Sequence, residues 1–102
     1  MEDSKKLHLT VDMGVGLGVE IFTFKLSGTN TVFCKLELYL SSFGASQCKV
    51  FDSQNKFAGV VSFVYGSWTD AERLQTLKDI MANWKGEAPI QVDWSTMGKS
   101  SQ

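Results

Sequence analysis

The sequence predicts an α+β domain in the order βββββαβ, with five or six mostly antiparallel strands in a sheet and one C-terminal amphipathic helix packed on one face. Three observations predict it. Apolar residues recur at every second position through roughly the first 65 residues, then at a period of 3.6 between about 70 and 85, then alternate again at 90–94. The first five runs are separated by short polar or glycine-bearing connections, as in an antiparallel meander. Where the period changes, Thr69-Asp70-Ala71-Glu72 has capping-box spacing, in which the hydroxyl and the carboxylate satisfy each other's backbone amides. A small closed β-barrel plugged by the helix is the alternative arrangement of the same elements.

The first strand covers residues 7–13, with Leu7, Leu9, Val11 and Met13 alternating with His8, Thr10 and Asp12. The second, 17–26, is apolar on both sides: Val19 and Ile21 oppose Phe22, Phe24 and Leu26. A turn at Ser27-Gly28-Thr29-Asn30 uses residues that tolerate positive φ. The third strand, 31–41, sets Val32, Cys34, Leu36 and Leu38 against Phe33, Lys35, Glu37 and Tyr39. A fourth follows at 47–52, then a loop at Asp52-Ser53-Gln54-Asn55-Lys56. The fifth, 57–66, is again apolar on both sides.

The helix, 70–85, carries a stripe of Leu74, Leu77, Ile80, Met81 and Trp84, with Arg73, Gln75, Asp79 and Asn83 opposite. Gly86 suits the C′ position, and Pro89 lies just beyond. Residues 90–94 form a sixth strand at a sheet edge, and the small, polar tail 95–102 is expected to be disordered.

The stretch Met13-Gly-Val-Gly-Leu-Gly18 resembles a phosphate-binding loop only superficially. A dinucleotide fingerprint needs GxGxxG followed by a helix whose amides point at the pyrophosphate; here the spacing is GxGxG and a strand follows. The glycines therefore predict a hairpin turn or bulge.

Composition narrows the function classes. One domain of 102 residues, 43% hydrophobic and with a formal charge of −1, belongs to the globular class. Its 10 basic and 11 acidic residues are interspersed, and only Arg73 is arginine, so no electrostatic footprint for nucleic acid emerges. Nothing has the length of a signal peptide or a membrane span, and the chain reads as cytoplasmic. Cys34 and Cys48 fit no CxxC motif and are expected to be buried, reduced thiols.

The chemistry-bearing residues are sparse. His8 lies about 13 Å along its strand from Asp12, too far for a direct hydrogen bond. A thiol on the Val32–Leu36–Leu38 face would be desolvated and inert. Asp12, Glu20, Glu37 and Asp93 fall on the more polar strand faces, where Lys25, Lys35 and Lys49 suit cross-strand charge pairs. One histidine and two separated cysteines make no zinc site, and 52–55 lacks the acids and glycine of a calcium loop. Trp84 and Trp94 are expected between helix and sheet. No catalytic residue, cofactor or metal is assigned.

A count of faces leads to the functional expectation. One helix about 22 Å long and 10 Å wide covers one face of a few strands, and the second and fifth runs are apolar on two. The face bearing Phe22, Phe24, Phe33 and Tyr39 is therefore expected to meet a protein partner or a second copy, with its aromatics as anchors. The chain accordingly reads as a small non-enzymatic protein-binding module, such as an inhibitor, immunity or anti-defence protein that blocks a larger partner. The alternatives are a homo-oligomeric assembly protein, and a small-molecule or enzymatic domain using a barrel mouth or cleft.

Overall fold

Strand β1 (Leu7–Gly16) returns as β2 (Val19–Leu26) through Leu17 and Gly18 alone, with Gly16 opposite Val19. Gly18 holds φ 70°, a conformation glycine adopts without the Cβ penalty, which accounts for the third glycine of the loop-like stretch. The computed structural model describes residues 7–41, 44–62, 70–84 and 90–97. The turn after β2 closes through Leu26 N–H to Thr31 O at 2.9 Å, around Gly28 at φ 78°.

From there β3 (Val32–Ser41) and β4 (Gly44–Phe51) continue the meander. The next loop is built on Asp52, whose carboxylate accepts from the amides of Gln54 (2.8 Å) and Lys56 (3.0 Å). These amides hold the Asp52 carboxyl below its ordinary pKa, and Asn55 completes the turn at φ 64°. β5 (Phe57–Ser62), helix α1 (Asp70–Ala82) and β6 (Ile90–Asp93) follow.

The result is an α+β fold with a six-stranded mixed sheet in the order β5-β4-β3-β2-β1-β6 and one helix. The sheet is open, so the closed-barrel alternative is set aside. The pairs among β1 to β5 are antiparallel, and β6 occupies the expected edge but runs parallel to β1. The chain must cross from one edge of the sheet to the other between β5 and β6, and the crossing includes α1. Crossovers of this kind are how parallel neighbours are joined.

Across the sheet, opposed residues line up in rungs on the helix-covered face. Val11, Phe24 and Cys34 form one; Met13, Phe22, Leu36, Val50 and Gly59 the next; Glu20, Leu38, Cys48 and Val61 a third. Leu77 and Met81 of α1 join this core, with Leu77 fully buried, which contributes on the order of 1.5–3 kcal/mol. Ile80 and Trp84 pack against it, as the stripe predicts.

Several expectations are corrected. Arg73, placed opposite the stripe, instead turns toward the sheet and grips Glu20, with Nε to Oε1 at 2.8 Å and Nη2 to Oε2 at 2.9 Å. Glu20 is not on a polar face: it lies in the core rung and is 7% exposed. The tail is ordered at its start. Trp94–Thr96 form a 3-10 turn capped by Asp93, and Thr96 Oγ1 lies 2.8 Å from the Val11 amide. Thr69, Lys85, Gly86, Pro89, residues 63–66 of the fifth run and the tail from 98 lie outside the described residues. Among the described residues no helix is long and apolar enough to cross a membrane.

Candidate interaction surface

The four aromatics expected to share one surface are distributed by the register over different places. Phe22 and Phe24 are fully buried, in the core cluster that Leu77 and Met81 of α1 join. Phe33 sits beside the bulge at Phe24/Lys25 and packs on Trp84, ring centroids 5.7 Å apart. Tyr39 is on the opposite face, its hydroxyl donating to Glu37 at 2.6 Å, a bond that raises its pKa. The expected aromatic face is therefore not one surface, because β2 presents Phe22 and Phe24, not Val19 and Ile21, to the helix. Trp84, just past α1, packs on Phe33 of the sheet as expected, whereas Trp94, in the 3-10 turn after β6, stands edge-on to Phe24 at 5.8 Å.

On the uncovered face the charged and aromatic side chains satisfy one another. Lys35 pairs with Glu37 at 3.4 Å and lies 4.7 Å from the Phe51 ring centre. Lys49 lies 4.8 Å from that of Tyr39, and Lys25 pairs with Asp12 at 3.1 Å. The lysine ammoniums occupy the ring faces that a stacked base would need. This face is amphipathic and internally paired, which lets it meet water.

The candidate catalytic residues are not drawn together. His8 is exposed and Asp12 is paired with Lys25. Both cysteines are free and buried: desolvation pushes each thiol up to about 12, with Cys48 adding to the rise at Cys34 and Glu37 to that at Cys48. At neutral pH such thiols stay protonated and are poor nucleophiles. Among the described residues, no three His, Cys, Asp or Glu side chains converge as a metal site.

Besides Val15 and Leu17 at the tip of the β1–β2 hairpin, the exposed large apolar residues among those described lie at β5. The helix-side rungs run out there, at Gly59 and Val61, and Phe57, Val60 and Val61 remain 60%, 48% and 39% exposed. Among the described residues no strand pairs with the outer side of β5, which carries neither charge nor proline, the usual protections of an edge. Between this edge and α1 runs an apolar groove of ≈ 590 Å³, floored by Val50 and Gly59 and walled by Ile80 and Trp84. Asp79 and Asn83 supply its polar rim, and a Cβ built on Gly59 would meet nothing within 4 Å. The opposite edge differs: β6 is four residues long and ends on Asp93.

The sequence does carry a signal for this site, because 57–62 is apolar in both phases of a period-two strand, a pattern that calls for cover on both faces. What it lacks is any sign that the second strand, with the same pattern, lies in the middle of the sheet.

Fold and surface together define a class, an open-sheet α+β domain with one well-ended edge and one bare edge beside an apolar groove. No family model matches the chain, and the comparisons with curated proteins and with solved structures found no match to it.

Proposed function

We propose that the protein is a non-enzymatic protein-binding module whose working part is the outer edge of β5 together with the groove beside it. The observation that carries this reading is the juxtaposition of an uncharged strand edge with exposed Val60 and Val61 and an apolar groove of ≈ 590 Å³. In strand addition, backbone hydrogen bonds supply affinity and pockets for alternate side chains supply specificity, and both parts lie side by side here. A blocking protein of the inhibitor or immunity type would use such an edge to extend the sheet of its target.

Immobilised protein and its Val61→Lys variant, exposed to host extract and compared by quantitative mass spectrometry, test the reading. Lysine on an edge strand opposes strand addition, and because Val61 is the half-exposed end of its rung, the buried members Leu38 and Cys48 stay in place. Proteins retained by the parent and lost from Val61→Lys, further copies of the chain included, support the proposal. Equal retention by both overturns it.

A further inference from the structure

At the edge of the sheet opposite β5, a second cleft of ≈ 390 Å³ opens at the seam between β1 and β6. His8 stands opposite Gln91 in the parallel pair, and Asp93, two residues along β6, shares the face of Gln91. Ser27, whose amide donates to His8 O at 2.8 Å, flanks His8 on its other side, and Trp94 adds an aromatic surface. His8, Ser27 and Gln91 are exposed, and their side chains make no hydrogen bond among the described residues. Asp93 commits Oδ1 to the amide and hydroxyl of Ser95, and its Oδ2 has no partner among the described residues. Four polar groups from three stretches of chain thus line one cleft with hydrogen-bonding capacity to spare.

The capacity is mixed. Gln91 and Ser27 both donate and accept, a neutral imidazole offers one of each, and Asp93 Oδ2 only accepts. An anion would meet the Asp93 carboxylate, and a metal ion would find one histidine and one carboxylate. An ammonium would use Asp93 and leave the donors of Ser27 and Gln91 unmatched. An apolar ligand would strip water from all four groups and return no bond. A neutral polyol can answer each of them, because every hydroxyl donates and accepts. We infer that this cleft binds a pyranose sugar, its hydroxyls on Gln91, Asp93, Ser27 and His8 and its C–H surface toward Trp94. The volume falls at the small end of the ~300–1,000 Å³ typical of small-molecule clefts, which suits one ring. No side-chain hydrogen bond joins His8 to Ser27 or Asp93 among the described residues, so the three groups contact a ligand and do not relay a proton. The cleft is open to water, and a dissociation constant on the order of millimolar is expected. The site lies across the sheet from β5 and does not depend on the reading of that edge.

Nitrogen-15 NMR of the full chain, titrated with glucose, galactose and mannose and separately with phosphate and tetramethylammonium, tests this. At least one sugar is expected to shift the side-chain amide of Gln91 and the indole N–H of Trp94 saturably, while the indole of Trp84, on the β5 side, stays still. Gln91→Ala and His8→Ala remove exposed side chains that make no bond among the described residues, so both variants are expected to keep the parent spectrum elsewhere. Each is expected to weaken the sugar about three- to tenfold, as the loss of one neutral hydrogen bond does. A cleft unmoved by all three sugars up to ~0.1 M overturns the inference. So does a sugar response that both variants retain in full, or one that phosphate or tetramethylammonium matches at the same signals.

Discussion

Glu20 and Arg73, separated by 53 residues, meet as a two-bonded ion pair that joins the floor of the sheet to the first turns of α1. The carboxylate side chain is 9% exposed and the guanidinium 18%, so water screens the pair little. Its planar geometry suits arginine specifically, since a lysine cannot present two parallel donors.

Removing one partner alone leaves a charge in the core. Glu20→Ala is expected to cost about 3 kcal/mol, and Arg73→Ala a comparable amount. Glu20→Leu combined with Arg73→Met is expected to recover most of the loss, because apolar residues of similar volume replace a desolvated pair at little net cost. Urea unfolding of the three variants measures this. A double variant as unstable as the sum of its parts would mean that the pair does more than compensate its own burial.

The thiols predict an alkaline weakness. A group whose pKa rises on folding, here from 9.0 to about 12 for both cysteines, stabilises the fold fully below its unfolded pKa and loses that contribution as pH climbs toward the folded value. Between pH 9.0 and about 12, the buried thiols are expected to lower stability progressively as pH rises. The Cys34→Ala/Cys48→Ala variant, less stable at neutral pH from the cavities it leaves, is expected to show a shallower decline. Denaturation at pH 8, 9 and 10 compares the slopes, and equal slopes would contradict the assignment.

Two glycines of the β1–β2 hairpin are expected to respond oppositely. Gly18→Ala forces φ 70° on a residue with a Cβ and should cost roughly 1–2 kcal/mol. Gly14 lies within β1 with nothing within 4 Å of a built Cβ, so Gly14→Ala should gain a few tenths to about 1 kcal/mol. Thermal melts of the pair test whether the glycines serve the turn; a matched loss at both positions would show that some other constraint holds β1.

Thr96 fastens the 3-10 turn to β1 through its hydroxyl, which lies 2.8 Å from Val11 N and 2.8 Å from Asp93 O. Thr96→Val keeps the shape and deletes the bonds, and should cost about 1–2 kcal/mol. Thr96→Ser should cost less. Unfolding curves in which Val and Ser variants coincide with the parent would mean the turn is not docked.

Strands, turns and helix were legible because each depends on local periodicity and turn chemistry. Leu77 and Met81 occupy the core as their spacing predicts. The choice of face was not legible. In β2 both Val19–Ile21 and Glu20–Phe22–Phe24 present apolar groups, and a carboxylate in the second set argues for water. Only the Arg73 fork, invisible until the helix is placed, makes Glu20 a core residue. That one inversion moved Phe22 and Phe24 from an expected partner surface into the interior. The binding edge was half legible: the two-sided apolar pattern of β5 is in the sequence, whereas its place at the end of the sheet depends on β6 pairing with β1 at the opposite edge.

The pairing of β6 with β1 has a kinetic consequence. Val11 and Thr96, which meet across this seam, are 85 residues apart, whereas β1 and β2 are joined by two residues. The hairpin can zip early at small entropic cost, but the β1–β6 seam must wait until the intervening chain is organised, since distant contacts repay their loop closure only once the ends are brought together. β6 is then expected to be the last strand to dock and the first to detach. Its amides should exchange with deuterium ahead of those of β2 and β3, through an opening that leaves the rest of the sheet standing.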